Sequence, residues 1–264
     1  MIRLIASDLD GTLIPNGMQS LNPILFPIIK ELKKRGILFV SASGRQLASQ
    51  RGLFGEMADD ISYIAENGAL CIHNGKCIYS GEMKRDTADA ILRALASLPS
   101  CKVLVSCPDT CYILSGDDAF LHHVRDVLHN DTTVTDCFDT ISEPILKIAA
   151  WDTVDVSRSA DALQALSFPD IKVATSGNDW IDFIPTYCNK GTALSALLRH
   201  LHIDPADCIS FGDQQNDVEM LTLTGISYAM ESGVTEAKAA ATATTACVEH
   251  TLQELLEKSA VTSK

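Results

Sequence analysis

Short apolar runs without alternation recur along the chain, and each ends in a polar loop. Leu4-Ile5-Ala6, Ile37-Leu38-Phe39-Val40 and Cys208-Ile209-Ser210-Phe211 have the character of parallel strands covered on both faces. Between the first two, Ile24, Ile28, Ile29 and Leu32 recur at helical spacing, after Asn22-Pro23 and before Lys33-Lys34-Arg35-Gly36. That is a helix with a capped start, a basic last turn and a terminal glycine, although Pro27 leaves its first residue open. Strand, helix and strand make a right-handed βαβ unit. A helix over 45–53 and a strand over 61–65 continue the alternation.

The pattern then changes. Cys71 to Tyr79 reads as a hairpin turning on Asn74-Gly75. The spacing predicts a helix over 84–97, paired strands near 102–106 and 110–115, and a helix over 117–129. A strand over 144–151, a helix over 157–166 and two strands within 171–184 follow. Hairpins mixed with helices indicate an α+β module. The parallel alternation resumes with a helix over 191–201, a strand over 207–211, a helix over 216–222 and a strand over 226–229. The Ala/Thr-rich stretch 237–247 reads as a small-residue helix and an edge strand, and a helix over 251–258 closes the pattern. The expected organisation is one α/β domain formed by 1–81 and 188–264, with 82–187 inserted as a second domain.

Composition narrows the function. The chain has 264 residues, 46% hydrophobic, enough for a large core. Its 21 basic against 34 acidic side chains give a net charge of −13, which argues against nucleic acid or anionic lipid as a partner. No apolar run is long enough to span a bilayer, and Met1-Ile2-Arg3-Leu4 leads straight into a strand, so a cytoplasmic location is expected. Nine cysteines without a C-x-x-C pair read as reduced thiols. Cys107, Cys111, His122 and His123 match no zinc-ligand spacing in common use.

Four strand-to-loop junctions carry the candidate chemistry, where open α/β sheets place their sites. Asp8 and Asp10, in Asp8-Leu9-Asp10-Gly11-Thr12, put two carboxylates at the tip of the first strand. In extended chain they share a side, and a hard divalent cation would relieve their repulsion. One could then attack phosphorus while the other moves a proton. Ser43-Gly44-Arg45 combines a hydroxyl, a glycine amide and a helix start, a combination that holds phosphate. Lys190 stands in the first turn of a helix against the helix dipole, and Asp213 follows a second buried strand, before Asn216 and Asp217. Taken singly these are a turn, an N-cap, a solvated lysine and a first-turn acid. Their recurrence at four strand tips indicates one site.

In this order Asp8 to Leu13, Ala42 to Arg45, Lys190-Gly191, and Gly212-Asp213 with Asn216-Asp217 resemble the four motifs of the haloacid dehalogenase-like phosphatases, specifically the Cof-type branch. Glu66-Asn67-Gly68-Ala69 is similar to the family's segment leading into the cap. The resemblance covers nearly the whole chain. It implies a doubly wound, Rossmann-like parallel sheet with an inserted α+β cap, and phosphatase action on small phosphorylated metabolites through a phosphoaspartate. By that resemblance Asp8 is the nucleophile and Asp10 the acid/base, and Mg²⁺ is held by Asp8, the Asp10 carbonyl and Asp213. Ser43, Gly44, Lys190 and Asn216 would bind phosphate, supported by Gly11, Thr12, Arg45, Asn67 and Asp217. Ser43 replaces the usual threonine, Glu231-Ser232-Gly233 replaces Gly-Asn-Ala, and Cys247 to Thr251 depart from the family's late pattern. Sugar phosphates and phosphorylated cofactors are the implied substrates, with Tyr112, Lys147, Trp151 and Trp180 as candidate leaving-group contacts. A cap closing as a lid would hinge near Gly81 and Tyr187. A sugar-phosphate mutase or phosphotransferase, or a non-catalytic phosphometabolite-binding module, are the competing readings. Oligomeric state is left open.

Overall fold

The unalternating runs become the buried strands of a sheet because each is covered on both faces. In the computed structural model, which describes residues 1–176 and 179–261, β1 (Leu4–Ser7) is buried throughout. α1 (Leu25–Lys34) turns Leu25, Ile28, Ile29 and Leu32 inward. Asn22 Oδ1 accepts the Ile24 N–H at 3.2 Å before the helix, and Gly36, at φ +72°, takes the chain out of it. β2 (Leu38–Ala42) lies parallel to β1, with Ser7 beside Ser41. α2 (Leu47–Phe54) and β3 (Ser62–Ala65) follow, β3 parallel to β2. β4 (Leu70–His73) and β5 (Lys76–Ser80) form the hairpin, and left-handed Asn74 (φ +48°) and Gly75 (φ +69°) supply its turn.

The middle segment builds its own sheet. It runs α3 (Arg85–Ala96), β6 (Lys102–Ser106), β7 (Cys111–Leu114), α4 (Asp118–His122), β8 (Thr132–Thr135), β9 (Lys147–Trp151), α5 (Val156–Gln164), β10 (Ile171–Ser176) and β11 (Trp180–Pro185). The strand order is β10-β11-β9-β6-β7-β8. Ile91, Leu95 and Leu163 of α3 and α5 pack with Val105, Ile148, Ile181 and Phe183. Phe120 and Val124 pack with Leu104, Ile113 and Ala149, the alternate positions of the strands and hence the other face. One expectation changes here and one strand is added. The helix expected over 117–129 is α4 followed by a π-helical turn, His123–Val127. Thr132-Thr133-Val134-Thr135 has no apolar run to announce it, yet pairs parallel with β7 as an edge strand.

The first sheet then resumes with α6 (Lys190–Leu201), β12 (Cys208–Gly212), α7 (Val218–Leu223), β13 (Ile226–Met230), α8 (Thr235–Ala240), β14 (Ala243–Thr245) and α9 (Val248–Val261). Its order is β14-β13-β12-β1-β2-β3-β4-β5. The winding runs outward from β1 through β2 and β3, and in the other direction through β12, β13 and β14, so the order switches at β1. That is the doubly wound arrangement, with its crevice at the strand tips where winding reverses.

The chain divides into two units. Met1–Gly44, Gln50–Tyr79 and Asn189–Lys264 make the first, and Arg45–Ser49 with Ser80–Cys188 the second. In the second, the Gln46 side-chain amide exchanges two hydrogen bonds with the backbone of Asp131. Residues 177–178 and 262–264, which the expected domain spans include, lie outside the described residues. No helix among the described residues is long and apolar enough to cross a membrane.

Candidate active site

The tips of β1 and β12 lie side by side, Ser7 next to Phe211, and the Asp8 N–H donates to the Phe211 carbonyl at 3.0 Å. This parallel pairing brings Asp8 and Asp213 together from opposite ends of the sequence. β1 ends at Ser7, so Asp8 and Asp10 do not share the face of an extended strand. The chain instead turns, with Gly11 N–H donating to Ile14 O at 2.8 Å and Ile14 N–H to Leu9 O at 2.7 Å. The turn buries Leu9, Leu13 and Ile14 and leaves the Asp10 side chain exposed. Gly11 sits at φ +90°, and a Cβ there would lie 2.2 Å from Asp213 Oδ2, so the close approach of the two loops requires glycine.

Lys190 opens α6, where Asn189 Oδ1 caps the helix by accepting the Thr192 N–H at 2.7 Å. The lysine is fully buried. Its Nζ lies 2.5 Å from Asp8 Oδ1 and 2.6 Å from Asp217 Oδ1. Asp217 Oδ2 accepts the N–H groups of Asp213 and Gln214, each at 2.9 Å, so this residue ties the lysine to the last loop. Asp213 is held by Thr12 Oγ1, donating to Oδ1 at 3.1 Å, and by Gln214 Nε2, donating to Oδ2 at 3.0 Å. Gln214 was not singled out in the sequence; its position directly after the acid was the available signal.

Asp8, Asp213 and Asp217 are all buried, with one carboxylate oxygen from each within 4.8 Å of the others. Three carboxylates less one ammonium leave two negative charges in excess in a site sheltered from water. Burial pushes the Asp8 carboxyl well above the ordinary range; Lys190 opposes this and Asp217 adds to it. Asp213 is raised as well, again first by burial, with the Gln214 hydrogen bond opposing. Burial alone would lower the Lys190 ammonium, but Asp217 and Asp8 outweigh it and hold it above the usual lysine range. Asp8 Oδ2 is buried and has no hydrogen-bond partner among the described residues. An all-oxygen, acid-rich group with surplus negative charge and an orphaned carboxylate oxygen suits a hard divalent cation. The Asp10 carboxylate does not belong to this cluster.

Ser43 follows β2 and is buried, its N–H donating to Ile64 O at 2.9 Å. Gly44 has no room for a Cβ, which would meet the Asn67 side-chain amide at 2.9 Å, and Asn216 Nδ2 donates to Asn67 Oδ1 at 2.9 Å. Behind this loop the fully buried Gln50 accepts from Ser41 Oγ and donates to Ile64 O. Arg45 falls in the second unit. In that unit Tyr112 donates to Glu143 at 2.6 Å, and buried Lys147 stands 3.8 Å from Asp182. Trp151 stacks on His123 at 4.5 Å, with Trp180 and Phe120 alongside. All nine cysteines are free thiols.

Three of these loops sit at the tips of β1, β2 and β12 of one doubly wound sheet, whereas Lys190 opens α6 and follows no strand of that sheet; known proteins match the chain over most of its length. Residues 5–251 match the family model of haloacid dehalogenase-like hydrolases. The 5-amino-6-(5-phospho-D-ribitylamino)uracil phosphatase YbjI of Escherichia coli is 29% identical, over 91% of this chain and 89% of that protein. The HMP-PP phosphatase of Cronobacter sakazakii is 30% identical, over 85% and 82% respectively. A crystal structure from Eubacterium rectale superposes with a TM-score of 0.82 at 28% identity, covering 96% of this chain and 99% of that one. Sheet order, site geometry and similarity agree, and the chain is a hydrolase belonging to the haloacid dehalogenase-like family.

Proposed function

We propose that the protein is a Mg²⁺-dependent phosphatase of small phosphorylated metabolites, working through an aspartyl phosphate on Asp8. The observation that carries this reading is the asymmetry of the Asp8 carboxylate. Oδ1 is engaged by the buried Lys190, whereas Oδ2 has no hydrogen-bond partner among the described residues and keeps its lone pairs. Asp8 attacks phosphorus as the ester oxygen leaves, and Asp10, more exposed and outside the acid cluster, gives that oxygen its proton. Asp10 then takes a proton from water, whose oxygen attacks the aspartyl phosphate and regenerates Asp8. Lys190 and the Ser43-Gly44 loop receive the phosphoryl oxygens. Asp8, Asp213 and the Asp10 carbonyl would hold the cation, with Asp217 nearby; the cation supplies neutralisation of phosphoryl charge when bound.

The relatives named for a phosphoribitylaminouracil and for HMP-PP support phosphorylated cofactors and their precursors as substrates, beside sugar phosphates. We assign selection of the leaving group to the second unit, whose hairpin-rich grammar interrupts the catalytic fold. The test is phosphate release from a panel of such esters, with Mg²⁺ or with EDTA, and with or without an acceptor sugar. Mg²⁺-dependent release in water supports the phosphatase. Release that requires the acceptor, with the phosphoryl group found on it, makes the protein a phosphotransferase or mutase, and binding without turnover makes it a phosphometabolite-binding module.

A further inference from the structure

The turn Glu66-Asn67-Gly68 has three consecutive residues in the left-handed region, at φ +51°, +55° and +94°. Two of them are not glycine, and Glu66 is buried. Such backbone is open to glycine and readily taken by asparagine but costly for glutamate, and at Glu66 it persists because its surroundings over-determine it, which is most often the case at functional sites. The surroundings here are three of the four candidate loops. The Asn67 N–H donates to the Ser43 carbonyl at 3.1 Å, and a Cβ on Gly44 would come within 2.9 Å of the Asn67 side-chain oxygen. Asn67 Oδ1 accepts from Asn216 Nδ2 at 2.9 Å. Gly68 presses on the start of α6, where a Cβ would come within 2.2 Å of the Asn189 carbonyl and 2.7 Å of the Lys190 nitrogen.

We infer that Asn67 is a positioning residue for phosphate, which uses a strained turn to set the Ser43-Gly44 loop against the side-chain amide of Asn216. The inference rests on the reading that the Ser43-Gly44 loop receives phosphoryl oxygens. The physical logic is that a phosphate cradle made of loop amides must be preorganised to bind tightly. Three loops, from sequence positions near 43, 190 and 216, meet around this turn. A short turn that hydrogen-bonds one, packs on the next and accepts from the third removes their independent motion. The left-handed asparagine puts the side-chain amide and the backbone N–H of a single residue to work on two different loops. A residue in ordinary extended or helical backbone would direct them elsewhere.

The experiment uses the full chain with p-nitrophenyl phosphate as a generic ester and inorganic phosphate as the binding probe. Asn67→Gly suits the left-handed backbone, so its Tm should stay within about 3 °C of wild type. It removes the acceptor for Asn216 and the cover over Gly44. The KM and the inhibition constant for inorganic phosphate should rise about tenfold, with kcat changed less than about threefold, the split expected when binding common to ground and transition states is lost. Asn216→Ala leaves the turn's backbone alone and should reproduce the rise. The double variant should be no worse than the larger single loss, because both act through one hydrogen bond. An Asn67→Gly protein with both constants within about twofold of wild type, or a double variant whose losses multiply, overturns the inference. Should wild type bind inorganic phosphate without hydrolysing the ester, and Asn67→Gly weaken that binding, the phosphatase reading fails and this inference stands. Ester hydrolysis with KM unmoved in Asn67→Gly sinks this inference alone, and wild type that neither binds phosphate nor hydrolyses the ester sinks both.

Discussion

Replacing Lys190 with methionine tests the electrostatics of the site directly. Methionine keeps much of the buried stem's volume and removes the ammonium, with its charge and its two hydrogen bonds. In the wild type that charge contacts Asp8 Oδ1 at 2.5 Å and Asp217 Oδ1 at 2.6 Å, with the lysine fully buried. Breaking a buried pair by deleting one partner costs about 3–5 kcal/mol, because the other charge is left uncompensated. For a chain of this size that corresponds to a fall in Tm of about 6–20 °C. The assay is thermal or urea unfolding of the metal-free protein, followed by titration with Mg²⁺. Stability should recover in part with the cation, which would oppose the carboxylates left without their lysine.

The deficit should also depend on pH with a definite sign. Burial already raises Asp8, and without Lys190 its main opposing influence is gone. An acid raised in the folded state binds protons more tightly there than in the unfolded chain, so acidification favours folding. The penalty is therefore full above the folded-state pKa and shrinks as pH falls toward the unfolded value near 3.9. A metal-free Lys190→Met protein within about 1 kcal/mol of wild type at about pH 8 would refute the reasoning, since the three carboxylates would then need no internal cation.

Asp8→Asn should fold yet lose turnover by far more than about a hundredfold, and rapid-quench mass spectrometry should find no phosphorylated protein; retention of more than about a hundredth of wild-type rate excludes Asp8 as nucleophile. Asp10→Asn should slow the reaction by roughly 10² to 10⁴ while keeping Mg²⁺ affinity, because the side chain lies outside the acid cluster. Asp213→Asn should instead weaken Mg²⁺ binding measured by calorimetry, and the reverse pattern in these two variants would exchange their roles. Gly11→Ala brings a Cβ within 2.2 Å of Asp213 Oδ2 at φ +90° and should cost about 1–3 kcal/mol along with Mg²⁺ affinity. Wild-type affinity in that variant would show that the Asp213 loop does not need its present position.

Much of the architecture was legible because it depends on neighbours in sequence. An unalternating run such as Ile37 to Val40, bounded by turn signals, reads as a buried parallel strand, and Asn74-Gly75 favours the left-handed φ values of its turn by its own residues. The four motifs were legible for a related reason. A strand tip followed by acids or a hydroxyl, or a lysine opening a helix, is a local pattern, and its repetition points to one crevice. β8 escaped notice because Thr132 to Thr135 becomes a strand only by pairing with β7, and an edge strand needs no apolar run.

What the tertiary structure decided is how those residues share charge and space. Asp8 and Asp10, two positions apart and read as a pair, separate into a buried acid and an exposed one because the chain turns to bury Leu9, Leu13 and Ile14. Asp8 and Asp217, far apart in sequence, share one lysine, and Asp217 also holds two loop amides. At Glu66 to Gly68 the Asn-Gly pair signals a left-handed turn, but left-handed Glu66 has no sequence signal and is held there by its surroundings. Propensity and patterning are set by a few consecutive residues and survive in any context, whereas pKa, metal affinity and backbone strain are set by groups within a few ångströms. The parallel pairing of β1 with β12, across some two hundred residues, determines which groups those are.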